Sequence, residues 1–177
     1  ALVMLTQNLL GGGRDPYGIR PLVLGKLKNS YVLASETCAL DIIGAKFIRE
    51  VDNGEIVLIE NDKLKSIKPF PEKKIRPCVF EYIYFARPDS ILSGKTAYEH
   101  RKNLGKELAK ENNIDADIIV PVPDSGNAAA LGFAQYLNKN YEHGLIRNHY
   151  VGRTFIEPSQ KIRSLGVKLK LNANQTT

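Results

Sequence analysis

The first 70 residues alternate short apolar segments with turn residues, a pattern typical of β-strands joined by tight connections. Strands are predicted at residues 2–6, 21–26, 31–34, 46–51, 55–60 and 64–68. We expect the glycine run 11–13 to end the first strand, and Asn53-Gly54 to supply the positive φ of a tight turn. A short helix is predicted at 36–43, with Ser35 as its cap and Gly44 at its end.

A different pattern begins after residues 69–77, a segment with three prolines and four charges that is predicted to be a linker. A helix is predicted at 96–112, with Tyr98, Leu104 and Leu108 spaced for one buried face. The continuous apolar run 117–122 is typical of a buried parallel strand, and a helix at 127–137 and a strand at 143–147 follow it. This order is the beginning of a doubly wound α/β sheet. Residues 148–177 are polar and basic, without clear periodicity.

Composition narrows the class of protein. Hydrophobic residues make up 43% of the 177 residues, which is enough for a packed core. No apolar run approaches the roughly 18 to 20 residues of a membrane helix. Two cysteines exclude a disulfide scaffold and suit a reducing cytosol, and the start of the chain lacks the pattern of a signal peptide. We therefore expect a cytoplasmic protein that does not bind a membrane.

The net charge of +6 is concentrated near the end of the chain, where residues 142–177 carry six basic and two acidic groups. Such a segment can hold nucleic acid, anionic lipid or a phosphorylated small molecule. Composition alone leaves these three partners open.

The most informative local stretch is the end of the predicted strand 117–122 and the turn that follows it. Pro123-Asp124-Ser125-Gly126 leads directly into a helix, and ligands of open α/β sheets bind at such strand ends, where the helix N-terminus favours anions. Asp124 or Ser125 can meet a magnesium ion, directly or through water. The alternative is that one of them simply caps the helix.

Residues 150–160 open the basic segment. Gly152 gives flexibility, the Arg153 guanidinium can fork onto a phosphate, and Phe155 and Ile156 can form the apolar underside of a lid that excludes water. The alternative is a solvated loop with a hydrophobic anchor. An iron–sulfur cluster needs about four ligands, so Cys78 and Cys38 cannot supply one alone.

Several of these stretches resemble one family, the amidophosphoribosyltransferases. They are the segments 14–22 (RDPYGIRPL), 34–41 (ASETCALD), 80–90 (FEYIYFARPDS), 121–125 (PVPDS), 150–156 (YVGRTFI) and 170–174 (KLNAN). The resemblance implies an α/β (overall α+β) fold. Residues 1–77 would be the C-terminal portion of an N-terminal-nucleophile (αββα) glutaminase domain, and residues 78–177 the first part of a type I phosphoribosyltransferase domain.

The resemblance also implies a reaction, cofactors and partners. Ammonia released from glutamine would displace pyrophosphate from phosphoribosyl pyrophosphate (PRPP), in the first step of purine synthesis, with Mg²⁺ at the pyrophosphate. Purine nucleotides would inhibit the enzyme, and the full-length protein would form a homotetramer. No nucleic-acid partner is expected, because the excess charge lies in one loop.

The residues that the resemblance assigns follow from these motifs. Ser125 corresponds to a Mg²⁺ ligand, and Tyr150, Arg153, Phe155 and Ile156 belong to the loop that folds over PRPP, where Arg153 would contact the substrate and Tyr150 and Ile156 would line the ammonia channel. Cys78 corresponds to the first ligand of the [4Fe–4S] cluster in members that have one.

This sequence departs from the family pattern at both ends. An N-terminal nucleophile must be residue 1, because its own α-amino group is the base, and residue 1 is Ala1. The family's acidic PRPP motif would follow Thr177. We therefore expect an internal fragment with no catalytic residue and no activity alone. The family's Lys-Asn-Arg is here Arg147-Asn148-His149. The alternative function is a non-catalytic phosphate- or nucleotide-binding module.

Overall fold

The computed structural model describes residues 1–112, 114–175 and 177. The chain forms two compact units, Ala1–Ala97 and Tyr98–Thr177, and each is described by itself. The domain boundary expected between residues 77 and 78 stays a prediction.

The first unit is built from two antiparallel sheets, one helix and a small hairpin. Its strands are β1 (Leu2–Leu5), β2 (Leu10–Gly13), β3 (Val23–Leu27), β4 (Ser30–Ala34), β5 (Lys46–Glu50), β6 (Ile56–Glu60), β7 (Lys63–Ile67), β8 (Ile91–Leu92) and β9 (Lys95–Thr96), and its helix is α1 (Thr37–Ile42). One sheet has the order β1-β2-β6-β7 and the other the order β4-β3-β5. Strands β8 and β9 pair with each other, and a π-helical turn spans Glu81–Phe85.

Strand β3 is buried on both faces, because alternate side chains of a strand point to opposite sides. Leu24 packs in a cluster with Val51 and Val57, whereas its neighbour Val23 packs in a second cluster with Leu40 of α1. The first unit is therefore organised around this central strand.

The glycine run does not end the first strand as predicted, because Gly11–Gly13 lie inside strand β2. A Cβ on Gly12 would lie 2.5 Å from the side chain of Leu33 in the other sheet, so glycine permits the close approach. The predicted turn at Asn53-Gly54 is confirmed, with φ +72° at Gly54.

Helix α1 forms within the predicted residues and ends at Ile42, and Gly44 follows it with φ +69°. Ser35 does not cap it. The N-cap residue is Glu36, and its side chain bonds elsewhere, as described below.

The predicted linker 69–77 has no regular secondary structure, but main-chain bonds hold its end. The Arg76 N–H donates to the Tyr17 carbonyl at 2.8 Å, and the Cys78 N–H donates to the Ile19 carbonyl at 2.9 Å. These bonds fasten the end of the segment to the turn that follows Arg14.

In the second unit, the described residues form three helices and two pairs of short strands. Its elements are α2 (Ala97–Glu111, whose first residue closes the first unit), β10 (Ile118–Ile119), α3 (Asn127–Leu137), β11 (Asn140–Tyr141), β12 (Leu145–Arg147), α4 (Gln160–Lys170) and β13 (Leu171–Ala173). Strand β10 precedes α3 in the chain and strand β11 follows it, and the two strands pair in parallel with each other. A strand–helix–strand unit was expected here, but its second strand is Asn140–Tyr141 and not the predicted 143–147, its strands are short, and Ile118 is exposed rather than buried. Strand β12 pairs antiparallel with β13 instead of extending the parallel pair.

Helix α2 buries a different face from the predicted one. Leu104 and Leu108 are 49% and 51% exposed, while Gly105 and Ala109 are buried. A Cβ on Gly105 would lie 1.8 Å from the Ala129 carbonyl oxygen of α3. The helices meet backbone to backbone, so small residues, not leucines, mark the contact.

Helix α4 was not predicted at all. Ser159 caps it by accepting a bond from the Ile162 N–H at 3.2 Å, and none of its described residues is buried. Among the residues that the structure describes, no helix is long and apolar enough to cross a membrane.

Candidate functional site

The turn between β10 and α3 is closed by main-chain hydrogen bonds. The Gly126 N–H donates to the Val122 carbonyl at 3.1 Å, and the Asn127 N–H donates to the Asp124 carbonyl at 3.3 Å. A Cβ on Gly126 would lie 2.6 Å from the Val122 oxygen, so glycine is needed for this turn. The turn therefore holds Asp124 and Ser125 immediately before the first residue of α3.

Neither Asp124 nor Ser125 caps the helix. The N-cap residue of α3 is Gly126, and no side chain makes the cap bond. Both side chains are exposed at the positive end of an eleven-residue helix. The capping alternative is therefore wrong, because neither side chain bonds to the first turn of α3.

The Asp124 carboxylate forms an ion pair with Arg147, the last residue of β12. The contact joins the Arg147 Nη1 to the Asp124 Oδ2. The Arg147 Nε is buried and has no hydrogen-bond partner among the described residues. A cation of the protein thus lies at the carboxylate that was predicted to meet a metal ion.

The segment between β12 and α4 carries the predicted loop residues. Tyr150 is 99% exposed, Phe155 and Ile156 are also exposed, and so is Arg153. The structure therefore places all four on one solvent-exposed stretch, and Phe155 lines a groove of about 420 Å³ against α4.

Both ends of this stretch are anchored. The Asn148 N–H donates to the Lys170 carbonyl at 2.8 Å, and the Asn148 Oδ1 accepts the Tyr150 N–H at 3.0 Å. At the other end the Arg163 guanidinium donates to the Glu157 carbonyl at 2.6 Å. The residues between these anchors form an exposed loop that hydrogen bonds hold at both ends.

Cys78 is half-buried and lines a cavity of about 30 Å³ in the first unit, together with Arg14, Glu50 and Glu81. Such a volume has room for about one water molecule. Cys38 is buried on α1. Within residues 1–112, 114–175 and 177, no group of three or more His, Cys, Asp or Glu side chains is placed to hold a metal ion.

The comparisons with known proteins give a consistent result. No family model matches the chain. The amidophosphoribosyltransferase of Rhizobium etli is 55% identical over 99% of this chain and 36% of its own length. The amidophosphoribosyltransferase of Glycine max, described as chloroplastic, is 50% identical over 97% of this chain and 30% of its own.

A solved structure agrees with these relatives. The glutamine PRPP amidotransferase from B. subtilis, complexed with ADP and GMP, matches 97% of this chain with a TM-score of 0.87 and 46% sequence identity. Nearly the whole chain is thus similar to part of an amidophosphoribosyltransferase. It spans about a third of the length of the relatives that it matches, namely 36% of the Rhizobium protein and 38% of the B. subtilis chain. The mixed α/β fold is confirmed.

The amidophosphoribosyltransferase motifs 34–41 and 80–90 meet in the first unit, which the sequence did not reveal. The Glu36 Oε2 accepts both the Arg87 N–H and the Ser90 hydroxyl at 2.8 Å. The Thr37 Oγ1 accepts the Ile91 N–H at 2.9 Å. Glu36 and Thr37 therefore form a clamp on residues 87–91. A carboxylate and a hydroxyl next to each other at the start of α1 were the available signal, but the sequence analysis gave a role only to the neighbouring Ser35.

The Arg87 side chain turns back within its own motif. Its Nε donates to the Asp89 Oδ1 at 2.7 Å, and the Asp89 carboxylate in return raises the pKa of Arg87. The same bond lowers the pKa of the Asp89 carboxyl. In this family motif the main chain is held by the clamp, while the charged pair faces solvent.

Proposed function

We propose that this chain is part of a glutamine-dependent amidophosphoribosyltransferase, which transfers the amide nitrogen of glutamine to PRPP. The products are 5-phosphoribosylamine, glutamate and pyrophosphate. The observation that carries the proposal is the 55% identity to an amidophosphoribosyltransferase along 99% of the chain.

Each unit supports one half of this assignment. The two antiparallel sheets and α1 suit the glutaminase portion, assigned to residues 1–77. The parallel strands around α3 suit the start of a phosphoribosyltransferase sheet, assigned to residues 78–177. The glutamine site and the nucleophile are not assigned to any residue of this chain.

The turn before α3 fits a magnesium ion in part. Asp124 and Ser125 offer hard oxygen ligands, but the described residues supply no larger set, so water and substrate oxygens would complete the coordination, as is usual for Mg²⁺. When bound, Mg²⁺ would offset charge that develops on the pyrophosphate leaving group.

The chain's own residues would bind PRPP, cover it and line the path of ammonia. The helix N-terminus and the Ser125 hydroxyl would orient the diphosphate, and Arg153 would approach the substrate phosphates from the loop. Phe155 would exclude water when the loop closes, and Tyr150 and Ile156 would line the path of ammonia. The exposure of all four loop residues supports this proposal, because a lid in its open state leaves its apolar side chains in solvent.

The described residues do not fit an iron–sulfur cluster by themselves, and no step is assigned to one; Cys78 is proposed only as a ligand that would need partners from elsewhere. Control by purine nucleotides is supported by the ADP and GMP bound to the B. subtilis relative. A homotetramer is proposed on the family resemblance alone.

The proposal is tested on the protein encoded by the complete reading frame that contains this chain. Glutamine-dependent formation of phosphoribosylamine, with Mg²⁺ and PRPP, is the expected result. Ser125→Ala should raise the Mg²⁺ concentration needed for half-maximal rate, while the matched change Ser30→Ala, at an exposed residue of β4, should not. Binding of PRPP without turnover would reject the enzyme and favour the non-catalytic phosphate-binding module.

A further inference from the structure

The clamp formed by Glu36 and Thr37 holds together two stretches that the family resemblance assigns to different portions of the enzyme. Glu36 and Thr37 lie in motif 34–41, within the portion assigned to the glutaminase, whereas the bound residues 87–91 lie in the portion assigned to the phosphoribosyltransferase. All of these residues belong to the first unit, Ala1–Ala97. The clamp therefore fastens the beginning of one assigned portion onto the folded structure of the other.

The Glu36 carboxylate serves the clamp instead of its own helix. Although Glu36 is the N-cap residue of α1, its side chain makes no cap bond. Its Oε2 instead accepts the Arg87 N–H and the Ser90 hydroxyl, which lie 51 and 54 positions further along the chain, both at 2.8 Å. Ser90 is 0% exposed, and hydrogen bonds to a charged acceptor are among the stronger ones, so their loss is costly.

The hydrogen bonds continue from Ser90 to the start of α2. The Ser90 carbonyl accepts the Ala97 N–H at 2.8 Å. Ala97 is fully buried and packs in a small cluster with Ala86 and Leu92. Because Ala97 is both the last residue of the first unit and the first residue of α2, the point at which the chain leaves this unit is held by bonds that lead back to Glu36.

Helix α2 carries the chain from this point into the second unit. There its Gly105 approaches α3 so closely that a Cβ would lie 1.8 Å from the Ala129 carbonyl oxygen. Helix α3 in turn begins directly after the turn that holds Asp124 and Ser125, where PRPP is proposed to bind. The clamp therefore holds the first residue of the helix that supports the candidate site.

We propose that Glu36 and Thr37 are positioning residues that couple the two half-reactions of the enzyme. This inference rests on the proposed function, in which ammonia released in one portion must reach PRPP in the other. By holding residues 87–97, the clamp sets where the chain enters α2. Neither residue is assigned to a substrate, so each half-reaction keeps its own residues when the clamp opens, but ammonia is then lost to solvent before it reacts.

The test uses the protein encoded by the complete reading frame. Three rates are measured: glutamate release from glutamine, pyrophosphate release with glutamine, and pyrophosphate release with ammonium chloride. The pyrophosphate formed per glutamate reports on coupling. Glu36→Ala should lower this ratio by about two-fold or more, while the rate with ammonium chloride stays within about two-fold of the parent, because only the transfer of ammonia is impaired.

Conservative variants separate positioning from stability. Glu36→Gln keeps an oxygen that can accept both bonds and should retain a higher ratio than Glu36→Ala. Thr37→Val should lower the ratio, whereas Thr37→Ser keeps the hydroxyl and should not. Glu60→Gln removes an exposed carboxylate from β6 and should leave the ratio unchanged. Ser90→Ala removes one donor to Glu36 and takes the place of Glu36→Ala if that variant does not fold.

A parent-like ratio in Glu36→Ala and Thr37→Val would overturn the proposal. Equal losses in all three rates, or unfolding of both Glu36→Ala and Ser90→Ala, would also overturn it, because the clamp would then only stabilise the first unit. If the parent releases no pyrophosphate with either nitrogen source, the proposed function itself is rejected, and the coupling role falls with it.

Discussion

The buried carboxylate of Glu55 gives the sharpest prediction about the stability of the first unit. Its side chain is 1% exposed and accepts four hydrogen bonds. Two come from the Arg49 guanidinium at 2.6 and 2.7 Å, one from the Asp52 N–H at 2.7 Å and one from the Ser66 hydroxyl at 2.5 Å. The bonds from Arg49 are the main reason that the pKa of Glu55 is lowered from 4.5 to about 2.

This pKa sets the magnitude of the effect. One pKa unit corresponds to about 1.4 kcal/mol, so the ionised Glu55 contributes about 3 kcal/mol to the free energy of unfolding at neutral pH. Because folding lowers the pKa, the contribution is complete above pH 4.5 and is lost as the pH falls from 4.5 to about 2. Glu55→Gln should lower the free energy of unfolding by a similar amount at pH 7, since Arg49 then loses the carboxylate that faces its guanidinium.

The assay is urea unfolding followed by far-UV circular dichroism between pH 7 and pH 2. Glu55→Gln should be less stable than the parent at pH 7, and the difference should shrink below pH 4.5. The matched control is Glu60→Gln, which removes an exposed carboxylate from the last residue of β6 and should change stability by less than about 0.5 kcal/mol. A constant difference between Glu55→Gln and the parent across the whole pH range would refute the reasoning.

Three further changes probe packing, the clamp and the missed helix. Gly105→Ala should destabilise the second unit by about 3 kcal/mol or prevent its folding, because the new methyl group meets the Ala129 carbonyl, as thermal unfolding will show. Thr37→Val should speed hydrogen exchange at the Ile91 amide, which loses its acceptor, with a cost of about 1–2 kcal/mol in urea unfolding. Ser159→Ala should lower the stability of α4 by about 1 kcal/mol, seen as faster amide exchange in its first turn.

Each of these has its own check. Gly152→Ala should be nearly neutral, because open space surrounds its Cβ position and its φ is not positive, so equal losses in Gly105→Ala and Gly152→Ala would contradict the packing argument. Thr37→Ser keeps the hydroxyl and should preserve slow exchange at Ile91. Ser159→Asp should preserve the cap; if it behaves like alanine, the cap is not what supports the helix.

Local signals in the sequence predicted the elements that depend on local chemistry. Gly44 and Gly54 adopt the positive φ that their turns need. Helix α3 spans the predicted residues, and the expected parallel strand precedes it. These features could be predicted because the information lies within a few residues.

Two of the failures involve partners that are distant in sequence, and a third involves a helix without a buried face. Apolar spacing assigned the buried face of α2 to Leu104 and Leu108, whereas the approach of α3 selected Gly105. Helix α4 was missed because its apolar residues are not buried, and its cap at Ser159 is a single-residue signal. The Asp124–Arg147 pair joins side chains 23 positions apart, which no local pattern could reveal.

The reciprocal glycine contact between α2 and α3 bears on how this protein can be altered. Gly105 faces the Ala129 carbonyl, and Gly132 faces the Lys102 carbonyl, where a Cβ would lie only 1.9 Å from the oxygen. These main-chain contacts fix the distance between the two helices, so replacing side chains on their outer faces does not change that distance. The exposed Tyr98 and Leu104 can thus be replaced by polar residues without moving the N-terminus of α3.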